Sequence, residues 1–195
     1  MNACLVPFLA LAAATSASAQ PPSFAARLSA AALERTTHAV RYEGAYVRLA
    51  YPGGDVPAST GVCTDEVIRS YRALGIDLQK EVHEDMARHF ALYPKLWKRT
   101  APDANIDHRR VPNLRVFFTR KGETLPVTRE AGDYRPGELV TWMLPGNLPH
   151  IGLVVDAKGP SGRYQIVHNV GQGPKLEDVL FDWPITGHYR YTGPR

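Results

Sequence analysis

The chain has 195 residues and a formal net charge of +4, from 23 Lys and Arg against 19 Asp and Glu. That length suits one domain with a real core. The basic residues are scattered, with no dense run and no Gly-aromatic motif, which argues against nucleic-acid binding. A modest basic excess fits a solvated surface, or anionic partners such as cell-wall polymers and lipid headgroups.

In chain order, residues 1–19 carry no charged side chain, and Leu5 to Ala13 is an almost unbroken apolar run. Ala17-Ser18-Ala19 then supplies the small-x-small pattern that signal peptidase cuts. This predicts a signal peptide over 1–19, cleaved between Ala19 and Gln20, with one domain over 20–195; a buried N-terminal helix is the alternative. The run is shorter than the roughly 20 residues of a membrane span, and no second segment is long enough. The expected location is the periplasm or outside the cell.

Ser23 to Thr37 reads as an amphipathic helix with Ser23 as N-cap. Pro52 to Pro57 is a turn-rich loop. Beyond it, Val67, Tyr71 and Leu74 stand at i, i+4 and i+7, a helical stripe closed by Gly75. Cys63 therefore falls at or near the N-terminus of a helix, just after a Gly-containing loop. A second helix is predicted over Leu78 to Tyr93, stopped by Pro94, followed by an irregular stretch over 100–113. The pattern then changes to strands at Leu114–Thr119, Glu138–Met143, Ile151–Asp156, Tyr164–Val170 and His188–Tyr191, with a turn over Lys158–Gly162. Helices first and antiparallel strands later predict an α+β fold, with N-terminal helices packed on an antiparallel sheet.

The two cysteines are Cys4 and Cys63. Once the signal peptide leaves, Cys63 stands alone, and a lone thiol in an oxidising compartment is a candidate nucleophile; an inert, buried Cys is the alternative. A nucleophilic thiol needs a base, and a helix N-terminus favours its thiolate. His150 opens one predicted strand and His168 closes the next, so a hairpin between them would bring the two rings together. Asn169 competes with His168, because alternate residues of a strand face opposite ways; it also suits the following turn. Tyr51 and Asp55, on the loop before Cys63, are candidate substrate contacts, with loop-structural roles as the alternative.

No metal or cofactor is expected. His83 and His89 are six residues apart, about 240° around a helix, so they cannot share a metal as residues at i and i+4 would. Asp107-His108-Arg109-Arg110 reads as a charged surface or a cleft lining whose guanidinium groups could take a substrate carboxylate.

Pro136-Gly137-Glu138-Leu139-Val140-Thr141-Trp142, His150-Ile151-Gly152-Leu153-Val154-Val155 and Ile166-Val167-His168-Asn169 resemble the catalytic half of the NlpC-type cell-wall cysteine peptidases. Gly61-Val62-Cys63-Thr64-Asp65, Asn105 to Arg110 and Gly187-His188-Tyr189-Arg190-Tyr191 resemble an exported bacterial domain-of-unknown-function family of the same papain-like fold, over roughly residues 30–191. The resemblance implies Cys63 as nucleophile, His150 as base and His168 as the residue orienting its ring. It also implies amide hydrolysis in peptidoglycan peptides. The chain departs from the NlpC pattern at Thr64-Asp65, where Ser-Gly is usual, at Val62, and in the segment Leu78 to Pro112. Two other functions fit the same residues: a non-catalytic cell-wall or partner-binding module, and an acyltransferase or thioesterase.

Overall fold

The computed structural model describes residues 20–194; the expected signal segment, 1–19, lies outside them. Helix α1 (Phe24–Arg35) starts where expected, with the Ser23 hydroxyl accepting the Ala26 N–H at 3.2 Å. Two short strands, β1 (Arg41–Tyr42) and β2 (Thr60–Gly61), pair in parallel, so Tyr42 lies opposite Gly61. Helix α2 (Cys63–Arg72) follows at once, and Gly75 turns the chain out of it at φ +82°. Helix α3 (Leu78–His89) is capped by Asp77 and runs into a 3-10 turn at Phe90–Leu92.

The predicted strand at Leu114–Thr119 is instead part of a helix, α4 (Val111–Lys121). Leu-Arg-Val-Phe-Phe-Thr is rich in residues that strands favour, which is what suggested a strand. Two helical signals outweigh it. Pro112 sits in the first turn, where its missing N–H costs nothing. Val111, Leu114, Phe117 and Phe118 are all buried, at i, i+3, i+6 and i+7, which is one helical face.

The strands β3 (Glu123–Thr124), β4 (Leu139–Leu144), β5 (Leu148–Lys158), β6 (Tyr164–Asn169), β7 (Pro174–Glu177) and β8 (Ile185–Arg190) form one antiparallel sheet in the order β3-β8-β4-β5-β6-β7. Strand alternation divides its side chains between two cores. Leu139, Ile151, Leu153, Val155 and Val167 face the helices and meet Leu28, Val67, Ile68, Tyr71, Leu114 and Phe118. Val140, Trp142, Val154 and Ile166 face the other way, and Tyr134 and Leu180 cover them. The α+β layering expected from the sequence is the one observed. Among the described residues no helix is long and apolar enough to cross a membrane.

Candidate active site

Cys63 is the first residue of α2, and its position is fixed by a buried clamp. The Asp65 carboxylate, two residues into the helix, accepts the Val62 N–H at 2.7 Å. Both of its oxygens are also held by the Arg109 guanidinium, at 2.8 and 2.9 Å. Arg109 donates further to the Ala45 and Glu43 carbonyls, and its own carbonyl accepts the Thr64 hydroxyl. The first turn of α2 is thereby tied to the 43–45 loop and to the 3-10 turn Asp107–Arg109. This corrects the expectation for Asp107-His108-Arg109-Arg110. Asp107, His108 and Arg109 are buried, and Arg109 neutralises Asp65 instead of waiting for a substrate carboxylate. A carboxylate shut away from water needs such a partner.

Cys63 is 5% exposed. Burial pushes its thiol up to about 12, and the Asp65 charge adds to that, while the backbone amides of Ile151, Thr64 and Cys63 itself pull it down. Burial therefore outweighs the expected preference of a helix N-terminus for a thiolate and favours the neutral thiol. The Ile151 amide places the sulfur against β5 one residue after His150.

His150 and His168 meet as the hairpin predicted. His150 Nε2 lies 2.8 Å from His168 Nδ1, and His168 Nε2 lies 2.8 Å from the Glu177 carboxylate on the edge strand β7. His150 and His168 are buried, and Trp183 stands edge-on to both at centroid distances of 6.1 and 6.0 Å. Burial, with the neighbouring His168, pushes His150 down to about 3. Burial also lowers His168, against the pull of Glu177. Burial thus favours the uncharged form of the thiol and of both imidazoles. The His150 ring shares its side of the sheet with Trp142, its partner across the β4–β5 pairing, while Cys63 packs among the helices. The link between them is the Ile151 backbone, one residue after His150, and their hydrogen bonds run to other partners.

The remaining candidates lie elsewhere or do other work. Tyr51 packs edge-on against His83 of α3, with ring centroids 5.0 Å apart. Asp55 is engaged by Arg69 and Arg72, so its carboxylate is not free for an amine. Asn169 is fully buried, and its Oδ1 accepts the Gly171 N–H, which is the turn role weighed for it. The tyrosine set near Cys63 is Tyr42, whose phenol is pushed up chiefly by its own burial. Its half-exposed ring is brought there by the β1–β2 pairing, across 21 residues of sequence, and only the pairing could have revealed it. Glu177 was also missed, because Pro174–Glu177 is too short and too polar to read as a strand. A cavity of about 330 Å³ opens beside this end of the sheet, lined by Val170, Lys175, Glu177, Val179 and Trp183. Among the described residues, no group of three or more His, Cys, Asp or Glu is placed to hold a metal ion.

The profile described as "Domain of unknown function (DUF1287)" matches residues 29–191. An Escherichia coli (strain K12) protein described as "Uncharacterized protein YijF" is 53% identical over 150 residues, 77% of this chain and 73% of that one. Two solved structures, NlpC1 and NlpC2 from Trichomonas vaginalis, superpose with TM-scores of 0.48 and 0.45 at 15% and 16% identity. Each superposition covers 89% of this chain but only 46% and 48% of the solved chains, so the chain spans about half their length. With the profile spanning most of its length and a relative at more than half identity, this chain belongs to the DUF1287 family.

Proposed function

We propose that this protein is an exported cysteine hydrolase of papain-like type that cleaves an amide bond, with Cys63 as nucleophile and His150 as base. The observation that carries the proposal is the His150–His168 hydrogen bond at 2.8 Å, together with a thiol set at a helix N-terminus against the amide of Ile151, the residue after His150. Because burial favours the neutral thiol and imidazole, attack is coupled to proton transfer. The free nitrogen of His150 takes the thiol proton while sulfur adds to the amide carbon. The carbonyl oxygen gains charge, and the backbone N–H of Cys63 can meet it. The imidazolium then returns its proton to the departing amine, leaving a thioester that water cleaves with His150 again as base. This cycle requires the His150 ring to reach the sulfur once substrate is bound. Tyr42 is the side chain placed to touch that substrate.

Peptidoglycan stem peptides or crosslinks are the proposed substrate class, supported by the signal-like sequence of 1–19 and by the NlpC-type motifs around His150 and His168. The test is to incubate purified sacculi and muropeptides with wild type and Cys63→Ala, then analyse the products by mass spectrometry. New amine and carboxyl ends released by wild type alone support the proposal, and unchanged muropeptides over a broad pH range reject the substrate class. One observation favours a second reading, a binding module without catalysis: the thiol is almost wholly buried. In that case Cys63→Ser preserves function in cells.

A further inference from the structure

We infer that Glu177 is a positioning residue for this site, setting through His168 which nitrogen of the His150 ring is free of its proton. The effect on reactivity rests on the cysteine-hydrolase proposal, whereas the proton arrangement does not.

The inference follows from what each atom can donate. Glu177 Oε2 lies 2.8 Å from His168 Nε2. An ionised carboxylate only accepts, so His168 Nε2 carries a proton. A neutral His168 then has a bare Nδ1. That atom faces His150 Nε2 at 2.8 Å, where two lone pairs would repel, so His150 Nε2 carries the second proton. The remaining nitrogen of His150, Nδ1, is left unprotonated, as a general base must be. Without the carboxylate the two-ring chain can run in either direction. In the reverse direction His168 Nδ1 donates to a bare His150 Nε2, and the proton of His150 sits on Nδ1, where it blocks the base.

Strand geometry explains why Glu177 can do this. Lys175 pairs directly opposite His168 on β6, and Glu177 is two residues further along the same face of β7, within the diagonal reach of a long side chain. The charged and titratable groups facing His168 are His150, Glu177 and Lys175. The Lys175 ammonium is turned to the Gln172 side-chain oxygen, which leaves the carboxylate to His168. The Glu177 side chain is 41% exposed at the mouth of the 330 Å³ cavity, so removing it leaves both cores intact.

The experiment has two readouts on wild type, Glu177→Ala, Glu177→Gln and Glu177→Asp. Long-range proton–nitrogen correlation spectra of the ¹⁵N-labelled protein report the tautomer of each ring. Iodoacetamide alkylation of Cys63 against pH reports the base. Wild type is expected to show His150 and His168 as single Nε2–H tautomers near neutrality. Ala and Gln at 177 abolish the single tautomer of His150, because the Gln amide can donate to His168 as well as accept from it, and Asp restores it in part. Neutral-pH alkylation falls by roughly 10- to 100-fold in the Ala variant, as for loss of an outer partner of a working histidine, while the high-pH rate is retained. Unchanged ring tautomers in both Ala and Gln variants overturn the inference. Lost tautomer order in a protein whose Cys63 is indifferent to His150 upholds it and rejects the hydrolase proposal instead.

Discussion

Replacing Arg109 with Met should unlock the first turn of α2. The Arg109–Asp65 pair is bidentate, and each side chain is 2% exposed. Met removes the charge but fills much of the space of the Arg stem, so the main cost is a buried Asp65 carboxylate left with one donor, the Val62 N–H. Breaking one side of a buried ion pair typically costs about 3–5 kcal/mol. The Glu43 and Ala45 carbonyls also lose a donor, but they are partly exposed and can turn to water. For a chain of this length the loss corresponds to a fall in Tm of roughly 6–20 °C. Asp65→Asn in the same protein removes the stranded charge, so the double variant should be more stable than Arg109→Met alone. Urea unfolding of the two single variants, the double variant and wild type measures this coupling. A loss under about 1 kcal/mol in Arg109→Met, or additive effects of the two changes, would refute the clamp.

Three further outcomes are expected. Gly152→Ala should destabilise the hairpin and slow Cys63 alkylation, because its Cβ would meet Ile166 Cγ2 at 2.6 Å and His168 Cβ at 3.1 Å; thermal melts and alkylation rates check both. Phe118→Ala, at a fully buried ring of α4, should cost about 3–5 kcal/mol in urea unfolding, whereas an edge-strand position would be nearly neutral. His108 is pushed down to about 4 by burial and by neighbouring Arg109, so the unfolded chain binds its proton more readily than the folded one. Its contribution is present above about 6.5 and is lost as pH falls toward 4, on the order of 3 kcal/mol. His108→Phe should flatten the stability–pH curve over that window, and chemical unfolding at several pH values reads it directly.

The parts of the fold legible in the sequence are those governed by short-range pattern. Ser23 announced α1, the stripe through Val67 and Tyr71 announced α2, and alternation in Ile151–Asp156 and Tyr164–Val170 announced the hairpin that joins His150 to His168. Leu114–Thr119 was misread because residue preference and helical burial disagree there, and packing decided it. The missed site residues depend on long-range pairing. Arg109 meets Asp65 from 44 positions away, Tyr42 is set opposite Gly61, two residues before Cys63, by a two-residue parallel pair, and Glu177 reaches His168 from an edge strand. The neutral state of the thiol was hidden for a related reason: a helix N-terminus is visible in sequence, whereas the depth at which it is buried is a property of the whole packed chain.

The most direct test of the central claim is the rate of Cys63 alkylation by iodoacetamide against pH, in wild type and in His150→Gln, which nearly keeps the ring's volume but removes the base. The account predicts that between the His150 and thiol pKa values of about 3 and about 12 wild type reacts faster. The advantage should be about 100-fold, the low end of general-base assistance. The two profiles should converge at high pH as the thiol ionises unaided. Superimposable profiles would contradict the Cys63–His150 pair and return the thiol to a packing role.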